Sequence, residues 1–490
     1  MPKVGYASLV ETLRLRVSPP ARPAFVDTSV NRRVDTADRI LFPTGVALAD
    51  TPLGHLEFAL RHEGIDLPII ASALPAIGAA PIVERLRQSP NGEYIRRAAF
   101  LWEWLGGSAL DAGISVAGSY VDLFDAGEYV VADHSLRAPA WRVNNNALGT
   151  AFFCPTVRRS VCPVPGWLDS MMARAGELAE NSRQSGLYDR AIQYLYLSET
   201  RSSFAIEHEA PSASKEERFV QILRRSGEVS VISEDSLVAI QNAVVRDDFS
   251  REVSYRTRQN WLEDRLGRIA FLPHPVHGLR ETMAGWEAFV NDHERGIDPL
   301  VRAACGAFGF VYLHPFMDGN GRLHRFMIHQ LLAQSGVIPG GMVIPVSAVI
   351  MKHIPEYRDV LDAFSTPVTR LWNYRRADEE PVIIEAPGAA PYRFFDASRE
   401  VAFMGRMISE AVEQEIPREL AWLAGYDRAL ERIEAAFDLP ARDIGKLIRM
   451  IAGNNGQLAK GKRKQFAYLP DGVLEGIEAM VRESFAGPGT

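Results

Sequence analysis

The stretch HPFMDGNGRLHR, residues 314–325, decides how this chain is read. Pro315 disfavours helix at the residue before it, so an apolar helical run that begins near Pro299 is predicted to end at about His314. Gly319, Asn320 and Gly321 then permit a tight, partly left-handed path that exposes backbone N–H groups. Beyond them Leu323, Phe326, Met327 and Leu331 recur at helical spacing, which predicts a second helix. A loop lined by N–H groups at the start of a helix attracts anions.

The side chains around this loop sharpen that statement. Arg322 and Arg325 are three residues apart, so both project from one face of the first turn, where forked guanidiniums suit phosphate oxygens. Two cations beside a nest of N–H groups imply a polyphosphate. Asp318 adds a hard oxygen ligand suited to Mg²⁺ bridging the phosphates. His314, neutral for much of its time at pH 7, can accept a hydroxyl proton during attack on phosphorus. Phe316 is expected to pack inward, and His324 and His329 to serve packing rather than chemistry.

The segment resembles the Fic family signature, His-x-Phe-x-acidic-Gly-Asn-Gly-Arg-x-x-Arg, at every defined position. Seven fixed residues and one two-way choice would match by chance roughly once in 10^10 start positions. The resemblance implies a mainly α protein: a Fic-fold helical core with a short β-hairpin flap, flanked by helical N- and C-terminal extensions. It implies transfer of AMP from Mg-ATP to a Ser, Thr or Tyr hydroxyl of a target protein or of the chain itself. It also implies His314 as general base and Asp318 as Mg²⁺ ligand. Gly319, Asn320, Gly321 and Arg322 would form the phosphate cradle, with Arg325 near the terminal phosphate. Removal of AMP, or transfer of another phosphate-bearing group, remains open at the same cradle.

Two upstream segments fit the same resemblance. SETRSSFAIEHE, residues 198–209, contains Ser203 and Glu207, an i,i+4 pair. It is similar to the family's inhibitory helix, Ser/Thr-x-x-x-Glu followed by Gly or Asn. His208 departs from that pattern and leaves the end of the helix in question. The resemblance implies that Glu207 engages Arg325 and so withholds its charge from ATP's terminal phosphate. The second segment, Tyr255–Pro275, has two short apolar runs around a charged turn ending in Gly267, which predicts a hairpin. It corresponds to the family's flap, which would align a target peptide by strand addition, with Gly267, Arg268 and Ile269 closest to substrate. Tyr357 is a candidate for stacking on adenine or, equally, a core residue.

The rest of the chain sets the frame. Its 490 residues, 47% hydrophobic and 23% charged, call for two or three domains with ample cores. We expect a helical N-terminal region at 1–190, a catalytic domain at 191–375, a Pro-rich acidic linker at 376–397 and a helical C-terminal domain at 398–490. A winged-helix-like arrangement is one reading of the last. A net charge of −7 offers no global attraction to nucleic acid, and the one basic cluster, Lys460, Lys462, Arg463 and Lys464, reads as a solvated turn. A DNA-binding regulator with a vestigial site is the alternative from another class, and nucleic acid is not the partner expected. Three cysteines without a CxxC pair and an N-terminus without an apolar leader fit a reducing cytoplasm. The uncharged run Leu67–Val83, broken by three prolines, reads as buried core and loop rather than membrane span. Oligomeric state is open, since an intermolecular form of the brake is conceivable.

Overall fold

A computed structural model describes residues 1–184, 188–228, 231–245, 250–338, 342–375 and 381–486. The protein is mainly α-helical and divides into two compact units that alternate along the chain. The first comprises residues 1–165, 212–337 and 353–406; the second comprises 166–211, 338–352 and 407–490.

The first unit holds the segment quoted above. Pro299–Leu313 is a helix because Asp298 caps it, accepting from the Val301 N–H at 3.1 Å, and Pro299 occupies the first turn. It pairs with the Asn320–Gln334 helix, and both are buried along nearly their whole length. The close approach depends on Gly306, where a Cβ would lie 2.6 Å from Leu331 Cδ1. The Leu279–Val290 helix packs alongside, Trp286 Nε1 donating to the Gly306 carbonyl at 2.8 Å. The N-terminal region is helical, with short strands between its helices. Helices span Gly5–Thr12, Pro52–His62, Leu67–Ile77, Ala79–Gln88 and Glu93–Gly106, but seven short strands join them. Four form a sheet ordered Lys3–Val4, Ala24–Val26, Ile40–Phe42, Val34–Asp35, and three form another, ordered Val121–Asp122, Val143–Asn145, Leu136–Ala138. At two or three residues each, these strands are too short to show a two-residue alternation in the sequence.

The uncharged run Leu67–Val83 forms two helices that break at Gly78, and Leu67, Ile69, Ile70, Ala73, Leu74 and Ile82 are buried in the core. The two are bent by 92°, and among the described residues no single helix is long and apolar enough to cross a membrane. The expected linker also differs from its reading. Residues 376–380 lie outside the described residues, but Val382–Glu385 pairs antiparallel with Asn373–Arg375. Beyond it, Tyr392, Phe394 and Phe395 are buried, and the Arg393 and Phe395 carbonyls accept from Cys154 N and Thr156 N. Proline and acidic residues marked the segment as a linker; its aromatic residues hold it in the core.

In the second unit, helices Ile416–Ala436, Ala441–Ala452 and Asp471–Phe485 enclose their own core of Ile433, Leu447, Ile451, Leu474 and Ile477. Among the described residues no strand follows Glu385, so this part contains helices and turns alone. The basic cluster occupies the single turn Lys460–Arg463 and its continuation. Arg463 is held by Glu478 at 2.9 Å, whereas Lys460, Lys462 and Lys464 are exposed. Cys154, Cys162 and Cys305 are free thiols.

Candidate active site

His314 terminates the Pro299–Leu313 helix with φ 54° and ψ 59°, a left-handed conformation at a residue with a side chain. Its Nδ1 lies 3.1 Å from the Val311 carbonyl. A carbonyl can only accept, so this contact assigns the proton to Nδ1 and leaves Nε2 as the basic nitrogen. The turn that follows is internally braced. Phe316 N donates to Asn320 Oδ1 at 3.1 Å, and Asn320 Nδ2 returns to the Phe316 carbonyl at 2.8 Å. The Phe316 ring is fully buried, 5.7 Å from the Tyr255 ring and 6.3 Å from that of Phe310, as its sequence context required.

The second helix starts earlier than expected, at Asn320, so Asn320 and Gly321 are already helical and Gly319 alone carries the left-handed bend, at φ 88°. No side chain caps this helix, and first-turn N–H groups such as those of Asn320 and Gly321 have no acceptor within a helix. Arg322 is buried; its Nη1 donates to the Val244 carbonyl at 2.7 Å and its Nη2 to Asp318 Oδ1 at 3.2 Å. Arg325 is also buried, at 1% exposure. A buried, uncapped helix start with two guanidiniums on its first turns is a site for anionic oxygens.

Asp318 fits a role as a cation ligand. Its Oδ1 accepts from Gly319 N at 2.6 Å and from Arg322, while its side chain stays 42% exposed. Among the described residues no group of three or more His, Cys, Asp or Glu side chains could hold a metal alone. One open carboxylate beside a phosphate site is the donor set Mg²⁺ uses when phosphates and water complete its shell.

The hairpin is present as Leu262–Glu263 paired with Ile269–Phe271, with a bulge and with Gly267 at φ 68° in the turn. Asp264 organises the turn: Oδ1 accepts from the Leu266 and Arg268 N–H groups, and Oδ2 from Arg268 Nε at 2.7 Å. Arg268 is therefore tied into the turn, while Ile269 lies on the strand opposite Glu263. The hairpin's root is anchored where Leu272 donates to Thr369 Oγ1 and accepts from Tyr392 Oη. Tyr357 is buried and stacks on His324 with ring centroids 6.0 Å apart, which places it in the core. His324 Nδ1 meets the Ala307 carbonyl at 2.8 Å, and His329 is buried as well.

Ser203 and Glu207 lie in the other compact unit. Ser203 is buried near the end of the Tyr188–Ile206 helix, and Glu207 follows that helix directly. His208 then takes φ 59°, with its N–H bonded to the Ala205 carbonyl at 3.0 Å. The residue that departed from the pattern thus adopts the left-handed conformation for which Gly or Asn is favoured.

A family model described as Fic/DOC family matches residues 231–332, which include the Pro299–Leu313 helix, most of the Asn320–Gln334 helix and the hairpin. The chain carries a Fic/DOC family segment at residues 231–332. The sequence is 30% identical over 131 residues to "Protein adenylyltransferase fic-1" of Caenorhabditis elegans, covering 26% of this chain and 24% of that protein. It is 36% identical over 64 residues to "Protein adenylyltransferase Fic" of Drosophila virilis, covering 13% of each. The chain thus spans about a quarter or less of the length of these relatives. A crystal structure of a Fic family protein from Desulfovibrio desulfuricans G20 overlaps 54% of this chain and 80% of its own length, at 17% identity and a TM-score of 0.37.

Within the Fic domain, three side chains escaped the sequence reading. Gln241 Nε2 donates to the carbonyls of Asp318 and Ser250, at 3.2 and 2.8 Å. Asn260 Nδ2 donates to the Phe316 carbonyl at 3.0 Å, and Arg256 Nε to the His314 carbonyl at 2.8 Å. Only Gln241 left a signal: it shares a helical face with Leu237 and Val244, a polar residue at a core position.

Proposed function

We propose that this chain is a protein adenylyltransferase that moves AMP from ATP to a hydroxyl of a target protein, and that Glu207 restrains it. The observation that carries this reading is the His314 tautomer. With the Nδ1 proton spent on Val311, Nε2 can take the proton of an attacking Ser, Thr or Tyr hydroxyl. The hydroxyl oxygen bonds to the α-phosphorus, the bond from that phosphorus to the bridging oxygen breaks, and pyrophosphate leaves. The N–H groups at Asn320 and Gly321 with Arg322 and Arg325 hold the phosphates in line for that displacement. Asp318 would hold Mg²⁺, which neutralises charge on the phosphates when bound. The Leu262–Glu263 and Ile269–Phe271 hairpin offers an edge to an extended target segment, with Gly267, Arg268 and Ile269 nearest to it. The relatives named as protein adenylyltransferases support the reaction class. Resemblance to the inhibitory helix, and the left-handed His208 that ends it, support Glu207 as the restraint. A cytoplasmic setting suits ATP as donor.

The test is incubation with ATP labelled on the α-phosphate, comparing wild type with Glu207→Gly and His314→Ala. Label on protein should rise in the first variant and vanish in the second. Label that persists without His314 would overturn the assignment of the base, and no label in any form, beside salt-sensitive DNA binding, would replace the whole reading.

A further inference from the structure

Arg256 is 4% exposed, and its side chain meets backbone carbonyls rather than a carboxylate. Nε donates to His314 at 2.8 Å, and Nη1 to Arg258 at 3.1 Å. Nη2 donates to His274 and, at 3.5 Å, to Leu313. Its own backbone N–H donates to the Pro315 carbonyl at 2.7 Å. Burying a charge is expensive, and without an opposite charge the cost is offset only by a full set of hydrogen bonds. A planar guanidinium with donors in a fixed fork can satisfy carbonyls from several segments at once, which a lysine cannot.

The segments it joins are the informative point. Arg258 and His274 stand at the two feet of the hairpin, whereas Leu313 and His314 are the last turn and the end of the helix that presents the base. The Leu313 carbonyl also lies at the negative end of that helix's dipole, where a cation is favoured. The His314 carbonyl belongs to the one residue of this turn with a side chain and a left-handed backbone, a conformation that persists only where its surroundings enforce it. Asn260, on the same side of the hairpin, repeats the connection through the Phe316 carbonyl.

We propose that Arg256 is a positioning residue: it locks the hairpin's two feet to the His314 turn, so that the acceptor edge and the base are held as one piece. This rests on the transferase reading for its catalytic consequence, though not for the connection itself. Arg256→Gln should lower the label-transfer rate at saturating ATP roughly 10- to 100-fold, while the ATP concentration for half-maximal rate changes less than about threefold. Arg256→Lys, which keeps the charge and loses the fork, should fall between Arg256→Gln and wild type. Hydrogen exchange followed by mass spectrometry supplies a readout independent of activity. In Arg256→Lys the segments 255–275 and 313–321 should lose protection together, with the Ala441–Ala452 helix unchanged. Loss in one segment alone, or in neither, overturns the proposal, as does an unchanged transfer rate in a folded variant. If wild type transfers no label, the transferase reading fails and the exchange data still decide the connection. Should Arg256→Gln not fold, Arg256→Lys carries both measurements.

Discussion

The side-chain amide of Gln241 donates to the backbone carbonyl of Asp318 at 3.2 Å, so the buried face of the Glu234–Val244 helix holds the residue proposed to face the phosphates. The same amide spans a second strand of chain, since Nε2 also reaches the Ser250 carbonyl and Oε1 accepts from Glu252 N at 3.2 Å. Replacing Gln241 with leucine keeps the volume and removes its bonds to the Asp318 and Ser250 carbonyls, while Glu252 N keeps its bond to Asn242 Oδ1 at 2.9 Å. We expect a loss of about 1–3 kcal/mol in urea unfolding, since each hydrogen bond lost contributes on the order of 0.5–1.5 kcal/mol. An unchanged unfolding midpoint would show that these bonds are dispensable.

The end of the Tyr188–Ile206 helix gives a prediction of opposite sign. His208 holds φ 59°, where a side chain strains the backbone, and the turn closes through backbone bonds from Glu207 N and Glu209 N to the Phe204 carbonyl and from His208 N to that of Ala205. His208→Gly should raise the thermal midpoint, by an amount equivalent to about 0.5–1 kcal/mol, because the relieved strain of roughly 1–2 kcal/mol exceeds glycine's entropic cost. A lower midpoint in the variant would mean that the histidine side chain contributes contacts that outweigh the strain.

Legibility differed between parts of the chain for physical reasons. Where chemistry needs particular atoms close in sequence, as at His314, Asp318, Gly319 and Arg322, residue types and spacing carried the arrangement. The ends of the Pro299–Leu313 helix were legible because Pro299 and Pro315 constrain the backbone locally. The N-terminal strands were not, because pairs such as Ala24–Val26 with Ile40–Phe42 are defined by hydrogen bonds between distant segments. The presumed linker failed for a related reason: Tyr392 reads as one aromatic among prolines, yet its hydroxyl joins Trp372 Nε1 and the Leu272 carbonyl. Arg256 and Asn260 were invisible because their partners are carbonyls, which every residue possesses.

Stability should fall as pH rises from 5 to 8. Burial pushes the Glu63 carboxyl up to about 8, against the Tyr6 N–H that favours its charged form, and pushes Asp66 up to about 6. Both folded-state values lie above the ordinary carboxylate range, so the folded protein binds protons that the unfolded chain releases. Their contribution is complete below about pH 4 and is lost as pH climbs through about 6 and then about 8. Glu63→Gln removes the later part of this loss. Its thermal midpoint should decline less than that of wild type between pH 6 and 8, and parallel curves for the two proteins would refute the assignment.

Arg322 separates charge from geometry at the proposed phosphate site. Its two terminal nitrogens divide between the Val244 carbonyl at 2.7 Å and Asp318 Oδ1 at 3.2 Å, so one side chain fixes both the loop's carboxylate and its own direction. A lysine keeps the positive charge yet offers a single nitrogen, which cannot serve both partners while presenting a fork to phosphate. If the charge alone matters, Arg322→Lys should bind ATP as wild type does. If the fork matters, Asp318 loses its brace and nucleotide affinity should drop roughly tenfold or more, the effect typical of losing a residue that orients a ligand. We expect the second outcome, with the larger loss when Mg²⁺ is present, because the misdirected carboxylate is the metal's protein ligand in this reading. Titration of a fluorescent ATP analogue with and without Mg²⁺ separates the two, and equal affinities for wild type and Arg322→Lys under both conditions would reduce Arg322 to a point charge.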